Sequence, residues 1–338
     1  RPKGVLISSR SRVLTFFSMG IEYGCFSSRD RFLAIAPLCH GAGMAFALAS
    51  VYFGGYTHLV DSFDPEDILR ELSIDEISGV FMVPAHFHAI FALEPKLLAA
   101  LQSFELRTII SNAAPLPQAT KKKIVEYFGE GLLHECYGST EGGIITSLRP
   151  EDQLRKQKCV GHPFPATEVS IRNEEGVECI PNEVGELFCR SPCLFNGYWQ
   201  LPEETAEALQ LGWCTVGDLA RRDEEGYIYI VDRKKDMVIT GGMNVYPSEI
   251  EDVLIRHPNI IEIAVIGVAD DHWGESLKAF VITKNGKPPD YDELVTFCED
   301  SLAKFKIPRK FVQIDALPRN AGGKILRTVL RKIIDPAV

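Results

Sequence analysis

Three groups of residues in this chain are suited to chemistry, and each of them sets charge beside glycine. Tyr137-Gly138-Ser139-Thr140-Glu141-Gly142-Gly143 follows an apolar run and places a hydroxyl next to a carboxylate in a glycine-rich turn. Such a turn can meet a phosphate and its Mg²⁺ together, and the tyrosine offers a flat face to a base. The competing reading is a polar turn between a strand and a helix. Gly217-Asp218 sets an acceptor in a turn, where it can take hydrogen bonds from a diol such as a ribose, and Arg233 can donate to the same sugar. The alternative there is a salt bridge between exposed loops. Near the C-terminus, Pro318-Arg319-Asn320-Ala321-Gly322-Gly323-Lys324-Ile325 sets one lysine behind two glycines. It is no Walker A loop, because the GxxxxGK[ST] spacing is absent and Ile325 follows the lysine. Either Lys324 comes in over an anionic centre or it is a solvated surface lysine.

Weaker signals are read more plainly. His86-Phe87-His88 has no third ligand at a useful spacing, so a packed helix or loop is expected rather than a metal pair. Lys121-Lys122-Lys123 reads as the solvated face of a helix. His40, between Cys39 and Gly41, is either a core histidine or a gate on a pocket.

The elements that must position these groups follow from hydrophobic periodicity. Up to about residue 150 the pattern is α/β, with buried strands at 32–37, 79–84 and 106–111 and helical patterns at 65–72 and 117–128. Shorter strands follow at 168–172, 185–190 and 226–231. Turn residues at 173–176 and 223–226 indicate hairpins and a small β subdomain. Beyond Asp236, Ser248 with Glu251 and Asp290 with Glu293 form capping-box patterns that open two helices, and 262–268 is a strongly apolar strand. The expected organisation is an α/β part over 1–155, a β subdomain over 156–234 and an α+β C-terminal domain over 235–338.

Composition narrows the class. A length of 338 residues fits two or three domains of roughly 150 residues each. The net charge of −10 argues against nucleic acid or an anionic membrane as partner, so a phosphate ligand needs local positive groups. Nine scattered cysteines without a CxxC pair fit reduced thiols and a cytoplasmic location. No integral membrane segment is expected. The longest apolar stretch, 43–55, is interrupted by glycine, falls short of the about 20 residues a span takes, and reads as a buried helix.

Taken in order, YGSTEGG, GWCTVGDL, IVDRKKDMVITGG, YPSEIE and PRNAGGK resemble the motifs of the adenylate-forming superfamily. That superfamily holds the acyl-CoA synthetases, luciferases and peptide-synthetase adenylation domains. The resemblance runs over the whole chain. It implies a large domain, made of an α/β subdomain and a small β-barrel-like subdomain, here only in part, followed by a mobile α+β C-terminal domain. It implies two steps: a carboxylate attacks the α-phosphate of ATP to give an acyl-adenylate and pyrophosphate, and a thiol then takes the acyl group.

By position, the resemblance sets Thr140 on the phosphate, Glu141 on Mg²⁺ and Tyr137 on adenine. Glu135 would accept from the adenine amino group, with the backbone of Asn112, Ala113, Ala114 and Pro115 alongside. Asp218 and Arg233 would hold the ribose, with Ile230 beneath it. Lys324 would be the adenylation lysine, Lys235 the hinge, Gly241-Gly242 the loop at the pantetheine tunnel, and His40 an acyl-pocket histidine. The implied partners are ATP or AMP, Mg²⁺, CoA and a small carboxylic acid.

Two positions depart from the family pattern. Asn112 stands where the family's GxAPL-like loop has glycine, which is expected to reshape the acyl pocket. Arg1-Pro2-Lys3-Gly4-Val5 matches only the tail of the family's phosphate loop, with Lys3 expected near the nucleotide. The expectation is that the rest of that loop and the N-terminal subdomain lie outside this chain, supplied as a missing portion; a homodimer is the other assembly considered. His272-Trp273-Gly274-Glu275 points to the CoA-ligase branch. The expected function is an AMP-forming acid–CoA ligase acting on a fatty or aromatic acid. The alternatives are transfer to a carrier protein's phosphopantetheine, or a nucleotide-binding fragment without turnover.

Overall fold

The computed structural model of the chain describes residues 3–74, 76–102, 104–284, 286–287, 290–319 and 325–333. The elements run β1 (Val5–Leu6), α1 (Ser9–Tyr23), β2 (Arg31–Ala34), α2 (Gly41–Tyr52), β3 (Tyr56–Leu59), α3 (Pro65–Ile74), β4 (Gly79–Met82), α4 (Pro84–Ile90), α5 (Pro95–Ala100), β5 (Thr108–Ser111), α6 (Gln118–Phe128), β6 (Leu133–Ser139) and β7 (Gly143–Leu148). Then come β8 (His162–Pro163), β9 (Glu168–Arg172), β10 (Gly185–Arg190), β11 (Gly197–Tyr198), α7 (Pro202–Ala208), β12 (Leu209–Gln210), β13 (Trp213–Cys214), β14 (Asp218–Arg222) and β15 (Ile228–Arg233). The last stretch holds β16 (Val238–Thr240), β17 (Met243–Val245), α8 (Pro247–Leu254), β18 (Ile260–Asp270), β19 (Gly274–Thr283), α9 (Tyr291–Glu299), β20 (Lys310–Gln313) and α10 (Arg327–Leu330). Two units divide the chain: residues 1–216 with 220–230, and residues 217–219 with 231–338.

In the first unit, seven strands are ordered β3-β2-β4-β5-β6-β7-β8. Pairing is parallel from β3 through β6 and antiparallel from β6 to β8. β4 and β5 are buried along their whole length, as central parallel strands covered on both faces must be. One face carries Leu33, Val80, Ile109 and Leu133 against Leu69, Phe87, Ile124 and Phe128. The other packs Phe32, Phe81 and Ile110 against Phe16, Met19 and Phe46 of α1 and α2. Asp64 begins α3 by accepting from the backbone of Glu66 and Asp67, with Pro65 at the first helical position. α2 is not the buried helix expected. Its inner face is sealed, but Met44, Leu48, Val51 and Tyr52 are exposed, so it is apolar on both faces with only one of them buried. A second sheet is ordered β12-β13-β10-β14-β15, with β9 also paired to β10. The expected strands at 168–172 and 185–190 are found with those bounds.

In the second unit a sheet is ordered β17-β16-β19-β18, with β20 parallel to β19. The long hairpin of β18 and β19 is its frame. α8 and α9 cover one face through Ile250, Leu254, Leu294 and Cys298. Leu317 and Leu330 close the other face over Ala264, Ile266 and Phe280.

The capping box expected at Ser248 does not form. Tyr246 is the N-cap of α8 and supplies no side-chain cap. The Ser248 hydroxyl donates to the Val231 carbonyl at 2.6 Å, and its N–H donates to Asp232 at 3.0 Å. Glu251 turns away to Arg327. Asp290 does cap α9, accepting from Asp292 and Glu293, while the Glu293 side chain goes to His257. Among the described residues no helix is long and apolar enough to cross a membrane, and all nine cysteines are free.

Candidate active site

In open α/β sheets ligands settle beyond the carboxyl ends of the parallel strands. In the first unit those ends include Ser111-Asn112-Ala113 after β5 and Tyr137-Gly138-Ser139 at the end of β6. The Tyr137–Gly143 segment is neither a turn leading into a helix nor a loop after a short strand. β6 continues through Ser139 and returns as β7, so Thr140-Glu141-Gly142 is the tip of a β-hairpin. Gly138 makes the hairpin possible: a Cβ there would lie 2.1 Å from the Gly143 carbonyl oxygen. The Ser139 hydroxyl accepts from the Gly142 N–H at 2.9 Å and so braces the turn, leaving Thr140 exposed at its tip.

Glu141 is half-buried and fixed at one end. Tyr198 donates to its Oε1 at 2.6 Å, and the Phe195 N–H donates to its main-chain oxygen at 2.9 Å. Its Oε2 accepts no hydrogen bond among the described residues. Burial and then the carboxylate hold the Tyr198 hydroxyl well above its ordinary pKa. Lys3 sets its ammonium 4.3 Å from the centre of the Tyr198 ring, so Lys3, Tyr198 and Glu141 form one group. Mg²⁺ is usually held by one or two carboxylates plus substrate phosphates. A hairpin-borne carboxylate with one free oxygen fits that use, with the neighbouring Thr140 hydroxyl. No cluster of three or more potential metal ligands occurs among the described residues.

Below this tip, Glu135 is almost sealed, and Lys121 of α6 faces it with Nζ 3.2 Å from Oε2. Lys121 is 1% exposed, so the expectation of a solvated lysine face is corrected: only Lys122 and Lys123 point to water. Lys121 stands three residues before Ile124 and seven before Phe128, both buried, which sets it on the inner stripe of α6. That spacing was the available signal. Burial raises the Glu135 pKa, with Lys121 acting against it.

Beside them, Ala113 has φ 77°, a left-handed conformation rare for a residue with a Cβ. Asn112 braces it: its Oδ1 accepts from the Ala113 N–H, and its Nδ2 donates to the Cys136 Sγ at 3.2 Å. Strain of this kind costs about 1–3 kcal/mol and clusters at ligand sites. Ala114 is exposed in the same loop. Tyr137 and Ile230 are partly buried against one apolar cluster of this unit, with Ile145 and Ile228 among its members.

His40 is exposed at the N-cap of α2 and makes no capping hydrogen bond, which removes the core-histidine reading. The His86-Phe87-His88 segment is a packed helix: Phe87 is in the core, and the His86 ring stacks on Phe63 at 4.4 Å.

In the second unit, Asp218 is buried and Arg233 sets Nε 3.2 Å from its Oδ1. The Lys234 N–H donates to the Gly217 carbonyl at 2.8 Å, which locks the turn onto the strand end. Lys235 is exposed in the turn that follows β15. Gly241 and Gly242 both have positive φ in the tight turn between β16 and β17. The Trp273 ring lies on Gly241, where a Cβ would come within 2.9 Å of it. Lys324 lies outside the described residues.

The model of the AMP-binding enzyme family matches residues 1–199, and that of the AMP-binding enzyme C-terminal domain matches 249–324. The chain is 35% identical to a 2-succinylbenzoate–CoA ligase of Geobacillus kaustophilus, over 98% of this chain and 67% of that protein. It is likewise 35% identical to a long-chain-fatty-acid–CoA ligase of Bacillus subtilis, over 96% of this chain and 58% of that one. The solved O-succinylbenzoate coenzyme A synthetase of Bacillus subtilis, in complex with AMP, superposes with a TM-score of 0.87 at 30% identity, covering 100% of this chain and 68% of that one. The chain thus spans about two thirds or less of the length of these relatives.

Proposed function

The chain belongs to the AMP-binding enzyme family, and on that premise we propose that it carries most of the site of an AMP-forming acid–CoA ligase. In the first step a carboxylate oxygen of the acid attacks the α-phosphorus of ATP. The bond to the β-phosphate oxygen breaks, and pyrophosphate leaves. In the second, the CoA sulfur attacks the acyl carbon, the bond to the AMP oxygen breaks, and the thiol proton passes to solvent.

The observation that carries this reading is the hairpin tip at the end of the parallel strands, where Tyr198 holds Glu141 with one oxygen free. We assign Glu141 and Thr140 to Mg²⁺ and phosphate, and Tyr137, Glu135 and the Asn112–Ala114 backbone to the base. The Mg²⁺ would offset the charge of the triphosphate. Lys3, over Tyr198, adds local positive charge, which a chain of net charge −10 needs for a polyphosphate. Asp218 and Arg233 are assigned to the ribose and Ile230 to the apolar floor. Lys235 is assigned to the hinge, Gly241-Gly242 to the approach of the thiol, His40 to the mouth of the acyl pocket and Lys324 to adenylation. The likeness to a fatty-acid ligase and an aromatic-acid ligase supports an aliphatic or aromatic acid of medium size or larger. Nine free cysteines support a reducing, cytoplasmic location.

The test is pyrophosphate release over a panel of aliphatic and aromatic acids, followed by thioester detection with CoA and with a phosphopantetheinyl carrier protein. Acid-dependent pyrophosphate release with a CoA thioester is expected. A thioester on the carrier protein alone would move the chain to the other branch. AMP binding without pyrophosphate release for any acid would leave a nucleotide-binding protein.

A further inference from the structure

Lys121 belongs to none of the motifs above, yet it is among the largest fully buried side chains. A lysine is almost never buried without a reason in charge. Its Nζ and the Glu135 Oε2 are both closed to solvent, 3.2 Å apart, at angles that fall short of a hydrogen bond. A buried pair of this quality contributes little to stability, since desolvation offsets most of the attraction. Well-packed apolar residues would serve a merely structural role at least as well.

The position of the pair suggests what it does instead. Side chains alternate along a strand, so Leu133, Glu135 and Tyr137 share one face of β6. Leu133 packs on Ile124 and Phe128 of α6, and Lys121 meets Glu135 further along the same helix face. Tyr137 comes next, at the carboxyl end of the strand. Glu135 is therefore pinned from beneath by one oxygen, and its Oε1 makes no hydrogen bond among the described residues. An ionised carboxylate only accepts, whereas a protonated one also donates. Burial pushes Glu135 towards protonation and the lysine opposes it.

We propose that Lys121 is a positioning residue for base selection: its ammonium fixes Oε2 of Glu135, so that Oε1 accepts from the exocyclic amine of adenine. This rests on the assignment of Glu135 to the nucleotide. The lysine touches no ligand and acts only through the carboxylate.

Calorimetry with AMP and with purine riboside 5′-monophosphate, which has hydrogen in place of the 6-amino group, tests it. The unmutated chain should bind AMP more tightly. Lys121→Met should weaken AMP about tenfold while the analogue changes by less than about twofold, because only AMP offers the donor that Glu135 accepts. Equal losses for both ligands, or no loss for AMP, would overturn the role of Lys121 alone. An unmutated chain that binds both ligands equally would overturn the assignment of Glu135, and one that binds neither would overturn the nucleotide site itself. Lys121→Met leaves a buried charge, so Glu135→Gln and the double variant Lys121→Met/Glu135→Gln provide a second route that removes it. A residue acting only through Glu135 adds nothing once Glu135 is changed, so these two should show the same ratio of AMP to analogue affinity. A further fall in that ratio in the double variant would overturn the proposal.

Discussion

The Tyr198 hydroxyl donates to Oε1 of Glu141 at 2.6 Å and so ties the short strand β11 to the tip of the β6–β7 hairpin. β11 in turn pairs with β1, through Val5 with Tyr198 and Leu6 with Gly197. The start of the chain, the Tyr198 ring beneath Lys3 and the hairpin carboxylate are thereby one mechanical group. Hydrogen bonds to charged groups are typically worth about 1.5–3 kcal/mol. Tyr198→Phe should free Glu141 to swing and raise the Mg²⁺ concentration at half-maximal pyrophosphate release about tenfold, with a small change at saturating Mg²⁺. A Mg²⁺ titration checks this, and an unmoved midpoint would remove the anchoring role.

The hairpin itself depends on Gly138. An added Cβ would lie 2.1 Å from a backbone oxygen, and no rotamer of a neighbour can relieve that. Gly138→Ala should therefore force the two strands apart and destabilise the first unit by about 3 kcal/mol, at the upper end of overpacking costs. The midpoint of denaturant unfolding measures the loss. A near-unchanged midpoint would show that the strands spread at little cost.

His134 makes stability depend on pH. It is buried on β6 with the Tyr23 ring edge-on at 5.2 Å, and its Nδ1 has no hydrogen-bond partner. Burial lowers its pKa from 6.5 to about 4, with Glu22 and Glu151 acting against the shift and Arg149 with it. The unfolded chain thus takes up this proton below about pH 6.5, whereas the folded chain resists until about pH 4. The contribution is complete above pH 6.5 and is lost as the pH falls towards 4, by at most about 3 kcal/mol. His86, also lowered to about 4 by burial, acts in the same direction. Unfolding of His134→Leu followed from pH 7 to pH 4 should show a shallower decline than the parent; parallel curves would dismiss the effect.

Much of this site was legible because its geometry is local. The strands at 168–172 and 185–190, the α/β alternation and the turn at Gly217 follow from periodicity and glycine, which short-range sterics control. What escaped is long-range. Nothing near Tyr198 in sequence marks it as the partner of Glu141, 57 residues away. The three lysines of α6 look alike as a run, and only their phase against Ile124 and Phe128 separates buried Lys121 from its exposed neighbours. The strand Leu133–Ser139 runs on into Gly138 and Ser139, and glycine and hydroxyl residues carry little strand propensity. Pairing with β7 overrides that. The Ser248–Glu251 spacing is that of a capping box, but both side chains found stronger partners in three dimensions.

Glu251 shows what such a partner is worth. It is partly buried in the second unit, takes Arg327 Nη2 on both oxygens at 2.6 and 2.9 Å, and accepts from the Val265 N–H at 2.7 Å. Burial raises its pKa, opposed by Arg327 and that N–H. Arg327→Met would leave the carboxylate without its charged partner, a loss of about 1–3 kcal/mol for a partly buried group left unsatisfied. The variant's carboxyl pKa would then rise further above its unfolded value, so the folded state favours the neutral acid. The sign follows: the variant's deficit should be largest at neutral pH and should shrink as the pH falls towards the unfolded value of 4.5. Arg327→Met/Glu251→Gln removes the charge and should recover much of the loss at pH 7. Denaturant unfolding of the parent and both variants at pH 7 and pH 5, followed through Trp273, reads this directly. A deficit that does not depend on pH would mean that Arg327 acts by packing rather than through its charge.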